Sequence, residues 1–374
     1  MKAATLQAVG ASSLSSEPAF VIEQLRAGLD GIQIRAGQLD LQGGFPVEDM
    51  AYLHACGALR VFGGQDVAPL DLFEALRLVG RGSLSVGRIF EGHVNGARLV
   101  SWYGDDSQRR RLSDELEAGE VYGVWNTEKP PGVRLADIDG QSRLTGQKCF
   151  ATGAGYIDHV IITAATGDGR KQMVIADAKD LARADASGWC VRGMKATLSG
   201  VYDLTGLPVN AETRLGGPDN YEREPRFSAG AWRFTAVQLG GVERILSLLR
   251  DHLNTSSTGD DPIHRARFGL ALASARSAYL WVREAAQRAE SQTAGPAEIA
   301  MVLMTRGVVE RAGLEAIAAA ERSVGTRTFF EDNPLDQACR DLSLYLRQPA
   351  PDQALDRAAA AFLAKDCWRD DPLW

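Results

Sequence analysis

Two short segments of this chain set an aromatic, hydroxyls and an amide close together, types that could pack against a flat group and hydrogen-bond it. Asn126, Thr127 and Glu128 follow the apolar run VYGVW, and Phe150 and Thr152 stand two apart just after LTGQK. Taken singly, Phe150 reads as a core aromatic and Thr152 as an ordinary strand residue; their order within one β-rich segment raises the binding reading. Further on, Arg265 and Phe268 in HRARFG offer a guanidinium fork, which suits phosphate oxygens. The five histidines (His54, His93, His159, His252, His264) show no metal-ligand spacing, and neither HExxH nor CxxC occurs, so no metal is expected. His93 reads as a helix-surface or capping residue. The absence of G-x-S-x-G, a Walker loop or a strand-borne G-x-G-x-x-G argues against hydrolase, P-loop and Rossmann chemistry.

The elements that must position these residues fall into three blocks: helical from 1 to 120, β-rich from 121 to 220, and helical again from 221 to 374. In the first, Phe20, Ile22, Leu25, Leu29 and Ile32 form an apolar stripe, and Pro46 and Pro69 open further helices. In the second, VYGVW, RLTGQKCF, HVIITAA, KQMVIAD, GWCVRG and GVYDLTGLPV alternate with Gly, Asp and Pro turns, the mark of a small barrel or sandwich. In the third, Trp232, Ala236, Leu239, Val242, Leu246 and Leu249 make one helix face. Phe268, Leu272, Ala275, Tyr279 and Val282 make another, and a third helix runs from about Pro296 to Arg322.

The chain has 374 residues, 45% hydrophobic and 24% charged, which suits two or three soluble domains. Its 41 basic and 48 acidic side chains leave a net charge of −7, the wrong sign for a nucleic-acid binder. No apolar run approaches the roughly 20 residues that span a bilayer. Five well-separated cysteines fit free thiols in a reducing cytoplasm.

Helices, a β-domain and a helical bundle, with TE, a Gly-containing turn, LTGQK, FATG and YIDHVIITA in that order, resemble the acyl-CoA dehydrogenase family of flavoproteins over nearly the whole chain. The resemblance implies an α+β multidomain fold: an N-terminal helical domain, a middle β-barrel or sandwich, and a C-terminal four-helix bundle. It implies FAD between the β-domain and the bundle, completed by a neighbouring subunit, and hence a homodimer or homotetramer. On this resemblance Asn126 and Thr127 contact the pyrimidine side of the flavin, Phe150 packs on the ring and Thr152 bonds N5. Arg265 and Phe268 match the family's R-x-x-F-G, which serves the pyrophosphate and adenosine half across the subunit interface. Arg276 stands where the family usually has Gln, and Gly325 and Thr326 would lie near a neighbour's ADP. Arg340 and Asp341 match a structural helix pair.

The substrate side departs from the family. Acyl thioester dehydrogenation needs a carboxylate to take the α-proton, and Pro349 stands where the family usually has that Glu. The alternative Glu, just before an Arg, is Trp232 before Arg233. The family's G-S-D reads Gly132, Val133, Arg134. No catalytic residue is therefore assigned, although Glu331, Asp332 or Asp352 could be a displaced base. The implied function is an FAD-dependent oxidoreductase acting on the CH–CH group of an acyl thioester, passing electrons to an acceptor or to oxygen. The alternatives are a flavin monooxygenase or oxidase on the same fold, which needs no α-proton base, and a non-catalytic paralogue.

Overall fold

The computed structural model describes residues 17–138, 140–291, 293–348 and 350–364. The N-terminal block holds α1 (Pro18–Gln42), α2 (Val47–Ala55), α3 (Ala58–Gly63), α4 (Pro69–Gly82), α5 (Leu84–Tyr103) and α6 (Asp106–Ala118). Pro18 and Pro69 occupy first turns, where the missing N–H costs nothing. A capping box between Asp105 and Gln108 opens α6. α1 buries Val21, Ile22, Leu25 and Ile32, but Phe20 faces out. At 100° per residue Phe20 lies nearly opposite Ile22, so the expected stripe was one residue too generous. α5 is the central helix: it is buried along most of its length, and its charged residues are enclosed with it.

Two sheets follow. The larger contains β1 (Tyr122–Trp125), β2 (Arg134–Ile138), β3 (Gln141–Thr145), β5 (His159–Ala165), β6 (Lys171–Asp177) and β9 (Arg214–Leu215), in the order β3-β2-β5-β6-β9 with β1 parallel to β5. The smaller pairs β4 (Gln147–Ala151), β8 (Gly200–Asp203) and β7 (Ala184–Asp185). β5 and β6 read as continuous apolar runs because both faces are covered. Ile161, Met173 and Ile175 pack on one side against Ala97, Leu99 and Val100 of α5 and Leu112 and Leu116 of α6. The expected strand GWCVRG is instead a loop. Its Gly193 passes so close beneath a later helix that a Cβ would sit 2.2 Å from the Arg340 carbonyl.

The C-terminal block comprises α7 (Arg226–Ala229), α8 (Trp232–Thr255), α9 (Pro262–Ala289), α10 (Pro296–Val324), α11 (Pro334–Tyr345) and α12 (Pro351–Leu363). The α8 stripe is buried as expected. On α9 the buried stripe is Ala271, Ala275, Ala278, Val282 and Ala285, while Leu272 is half exposed and Phe268 and Tyr279 lie at the edge. Small residues let α9 approach α8 and α10 closely, which leaves the larger ones outside. Two joints hold the blocks together. Gly80 of α4 and Gly240 of α8 bring their backbones together: a Cβ on Gly240 would meet the Arg77 carbonyl at 2.2 Å. Arg340 forks onto Asp40 at 2.6 and 3.1 Å, and Asp341 accepts the Met194 N–H at 2.5 Å. The Arg340–Asp341 pair is thus structural, as its position implied.

Candidate active site

A cavity of about 700 Å³ opens where the three blocks meet. α5 contributes Arg88, Glu91, Asn95, Leu99 and Trp102; the strands contribute Val124, Trp125 and Phe150, with Thr152 just past β4; the bundle contributes Arg233, Phe234, Leu303, Arg306 and Tyr345. Four of the residues singled out in the sequence, Asn126, Thr127, Phe150 and Thr152, line it together.

Phe150 belongs to β4, Thr152 follows β4 directly, and Asn126 and Thr127 follow β1 directly. Phe150 sits in a bulge, where the β4–β8 register shifts between Cys149 and Ala151, with φ of +52°. A bulky residue in the left-handed region is strained by about 1–2 kcal/mol. Here the bulge turns the ring out of the sheet, 58% exposed and edge-on to Trp189. Phe150 is therefore no core aromatic. The Thr152 hydroxyl bonds Ser199 at 3.0 Å, and its carbonyl accepts from Trp125 Nε1 at 3.0 Å. Asn126 is fixed by two bonds: its side-chain oxygen accepts from Thr163 at 2.7 Å, and its carbonyl accepts from Lys148 Nζ at 3.2 Å. Lys148 is fully buried, and its ammonium also pairs with Glu128 at 2.5 Å. Burial pulls its pKa down, with Glu128 opposing. Val133, in the place of the family's Ser, is wholly buried.

The other wall is an ionic network that sequence reasoning missed. Glu91, 2% exposed, is the carboxylate lining the cavity among the described residues. It accepts from Arg88 and from Asn95. Asn95 in turn accepts from Arg233 at 2.9 Å. Arg233 pairs at 2.5 Å with Glu290, which also takes Arg98 at 3.0 Å and Trp232 Nε1 at 3.0 Å. Burial alone would raise Glu290, but Arg233 and Arg98 outweigh it and hold the carboxyl below its ordinary value. Arg98 is pulled down to about 10 by burial and by Arg233. The signal was present: Arg88, Glu91, Asn95 and Arg98 are spaced three, four and three apart. That puts them on one face of a helix whose remaining residues, His93 apart, are mostly apolar or small. Tyr345 completes the wall. Its hydroxyl is buried without a hydrogen-bond partner among the described residues, and burial pushes it far above the usual phenol range.

Other expected residues lie elsewhere. Arg265, Arg276, Gly325 and Thr326 are exposed, Phe268 is half-buried, and none of the five lines the cavity. Glu331 and Asp332 border a separate cavity beside α1, and Asp352 lines neither cavity. Pro349 lies outside the described residues, but its neighbours Gln348 and Ala350 line the cavity. His93 is fully buried rather than on a helix surface. Its Nδ1 accepts from Tyr122 N–H at 3.1 Å, which leaves Nε2 to donate to Leu59 O at 2.9 Å. His159 meets Glu120 at 2.5 Å and Glu115 at 3.4 Å, a proximity that sequence spacing did not reveal. Tyr122 and Arg111 already engage Glu115.

A helical block, a pair of sheets and a helical bundle around one junctional cavity define an acyl-CoA dehydrogenase-like fold, and solved structures bear this out. The chain matches glutaryl-coenzyme A dehydrogenase in its glutaryl-CoA complex with a TM-score of 0.81 and 19% identity, over 94% of this chain and 96% of that one. It matches the dibenzothiophene monooxygenase TdsC of Paenibacillus sp. A11-2, solved with FMN and indole, with a TM-score of 0.83 and 19% identity, over 92% and 97%. In sequence, dibenzothiophene monooxygenase of Rhodococcus erythropolis is 25% identical over 248 residues, 59% of each chain, so the match spans little more than half of that relative's length. No family model matches the chain.

Proposed function

We propose that this protein is a flavin-dependent oxidoreductase whose reaction is oxygen-dependent monooxygenation of a small molecule. The observation that carries this is the chemistry of the cavity wall. It is rich in donors, while its one lining carboxylate among the described residues, Glu91, is already engaged by Arg88 and Asn95. A base that must take an α-proton needs a lone pair free to reach the substrate. Hydrogen-bond donors and cations instead stabilise developing negative charge.

The residues present fit a flavin. Phe150 and Trp125 offer flat apolar surface, Thr152 and Ser199 offer hydroxyls, and Asn126 and Thr127 offer polar groups just past β1. A reduced flavin supplies two electrons, so that one atom of O2 can enter the substrate and the other leave as water. Around it, the Tyr345 hydroxyl stays protonated and donates. The Arg233–Glu290–Arg98 chain keeps the α5 and α8 walls in register. Leu99, Phe234 and Leu303 exclude water from the apolar side. Likeness to TdsC, solved with FMN, supports the cofactor class and leaves FMN as eligible as FAD. We further propose a homodimer: Ile263, Leu270 and Leu280 are exposed on α9, and Arg265, Phe268, Arg276, Gly325 and Thr326 then serve a second copy's cofactor. Free thiols at Cys56, Cys149, Cys190 and Cys339 agree with a cytoplasmic setting, and no described helix is long and apolar enough to cross a membrane.

A second reading, dehydrogenation of an acyl thioester, is supported by the likeness to glutaryl-CoA dehydrogenase and would require Glu91 to leave its ion pair and act as base. One anaerobic experiment separates the two. The flavin-loaded protein is mixed with a panel of acyl-CoA thioesters, then chemically reduced and exposed to oxygen. Under the first reading, thioesters leave the visible band unchanged, and the reduced protein consumes oxygen. Bleaching by a thioester overturns it in favour of the second.

A further inference from the structure

Among the described residues six arginines line the cavity, Arg88, Arg226, Arg233, Arg306, Arg347 and Arg357, against a single carboxylate. The excess is not a product of composition, because the chain as a whole carries a net charge of −7. Nor do carboxylates behind the wall cancel it. Glu91 takes Arg88, and Glu290 is shared by Arg233 and Arg98. Glu310 takes Arg347, and Glu224 reaches Arg357 only at 3.7 Å. Arg226 has no carboxylate among the described residues; its guanidinium lies over the rings of Trp102 and Tyr103, 5.0 and 5.5 Å from their centroids. Arg306, 8% exposed, donates to the Gln348 and Ala350 carbonyls over the Phe234 ring. Among the described residues, the six guanidiniums of Arg88, Arg98, Arg226, Arg233, Arg347 and Arg357 thus share four carboxylates around one opening.

From this arrangement we infer that the cavity binds an organic anion: an oxyanion group, such as a carboxylate or sulfonate, on an apolar body. This rests on the proposed reading of the cavity as a substrate site and names its substrate class. The same wall holds the apolar partners that such a body needs, Leu99, Trp102, Phe227, Phe234 and Leu303. An Arg held flat on aromatic rings keeps its edge N–H groups free, and that fork matches the two oxygens of an oxyanion. Two polar atoms without partners reinforce the point: the buried Tyr345 hydroxyl and the Tyr103 hydroxyl both belong to lining residues, and both can donate to an oxyanion. Clefts lined by one sign of charge also concentrate ligands of the opposite sign.

The test pairs each anion with its neutral isostere. Benzoate, phenylacetate, cinnamate and 1-naphthoate, and the four corresponding amides, are titrated calorimetrically into the full-length protein, with and without bound FMN. At least one acid is expected to bind at least tenfold more tightly than its amide. That preference should shrink several-fold in Arg226→Ala and in Arg357→Ala and fall with added salt, while flavin retention stays unchanged in both variants. Equal binding within every pair, or no binding at all, overturns the inference. So does an anion preference that vanishes once FMN is bound, because the arginines would then serve the cofactor's phosphate. Flavin retention is read separately from the visible band. A protein that keeps flavin but shows no preference loses only this inference; one that prefers anions but takes no flavin loses the proposed function instead.

Discussion

Phe150 joins two unusual properties, a left-handed backbone and an exposed aromatic ring. Strain of this kind persists where function uses the result. Phe150→Gly should leave folding stability within about 1 kcal/mol of the parent, because relief of the left-handed strain offsets the lost contact with Trp189. Flavin affinity, followed by absorbance titration, should nevertheless fall at least tenfold. A large loss of stability with unchanged affinity would make Phe150 a packing residue. The sequence spoke clearly at this position, since Phe150, Thr152, Asn126 and Thr127 do share one cavity. For Glu91 it offered only the helical spacing with Arg88, Asn95 and Arg98, and for Tyr345 nothing. Nothing in FEGHVNGARLVSW shows that the polar face of α5 turns inward; the packing of α8 and α11 against that face buries it. Glu91→Gln leaves Arg88 without its carboxylate in a buried setting and should cost about 3 kcal/mol in chemical denaturation. A change within a few tenths of that unit would mean the pair is solvated in solution.

At the scale of elements, His93 ties α5 to α3 and to β1 through one bond from each ring nitrogen. Burial pulls its pKa down from the ordinary 6.5 to about 4. The unfolded chain therefore binds the proton more tightly than the folded one. The stability this represents is fully present above pH ~6.5 and is lost as pH falls toward ~4, in all about 3 kcal/mol. Unfolding followed across that window should show this slope in the parent and lose it in His93→Gln; an unchanged slope in the variant would assign it to other groups. The Gly80–Gly240 crossing makes a second claim. Gly240→Ala must push α8 off α4 and should destabilise by about 1–3 kcal/mol, measured as a lower Tm. The α8 stripe was readable because it is long and strictly periodic. The α9 stripe was misjudged because its buried residues are mostly alanines, which carry little weight in a hydrophobic pattern.

For the molecule as a whole, the order of helices, sheets and bundle was legible because each block changes the period of its apolar residues. The cavity itself was not, since its wall is drawn from residues as far apart as Arg88 and Arg357 and exists only when the blocks meet. Its charge was hidden for the same reason, in a chain whose overall balance is acidic. The most direct test of the account is a titration of the purified full-length protein with FMN and with FAD, followed in the visible band and repeated with Asn126→Ala and Thr152→Ala. The account predicts saturable binding of at least one flavin with a shifted band, weakened at least tenfold in either variant while the far-ultraviolet circular dichroism is unchanged. Failure to bind either flavin, or binding that both substitutions leave untouched, would contradict it.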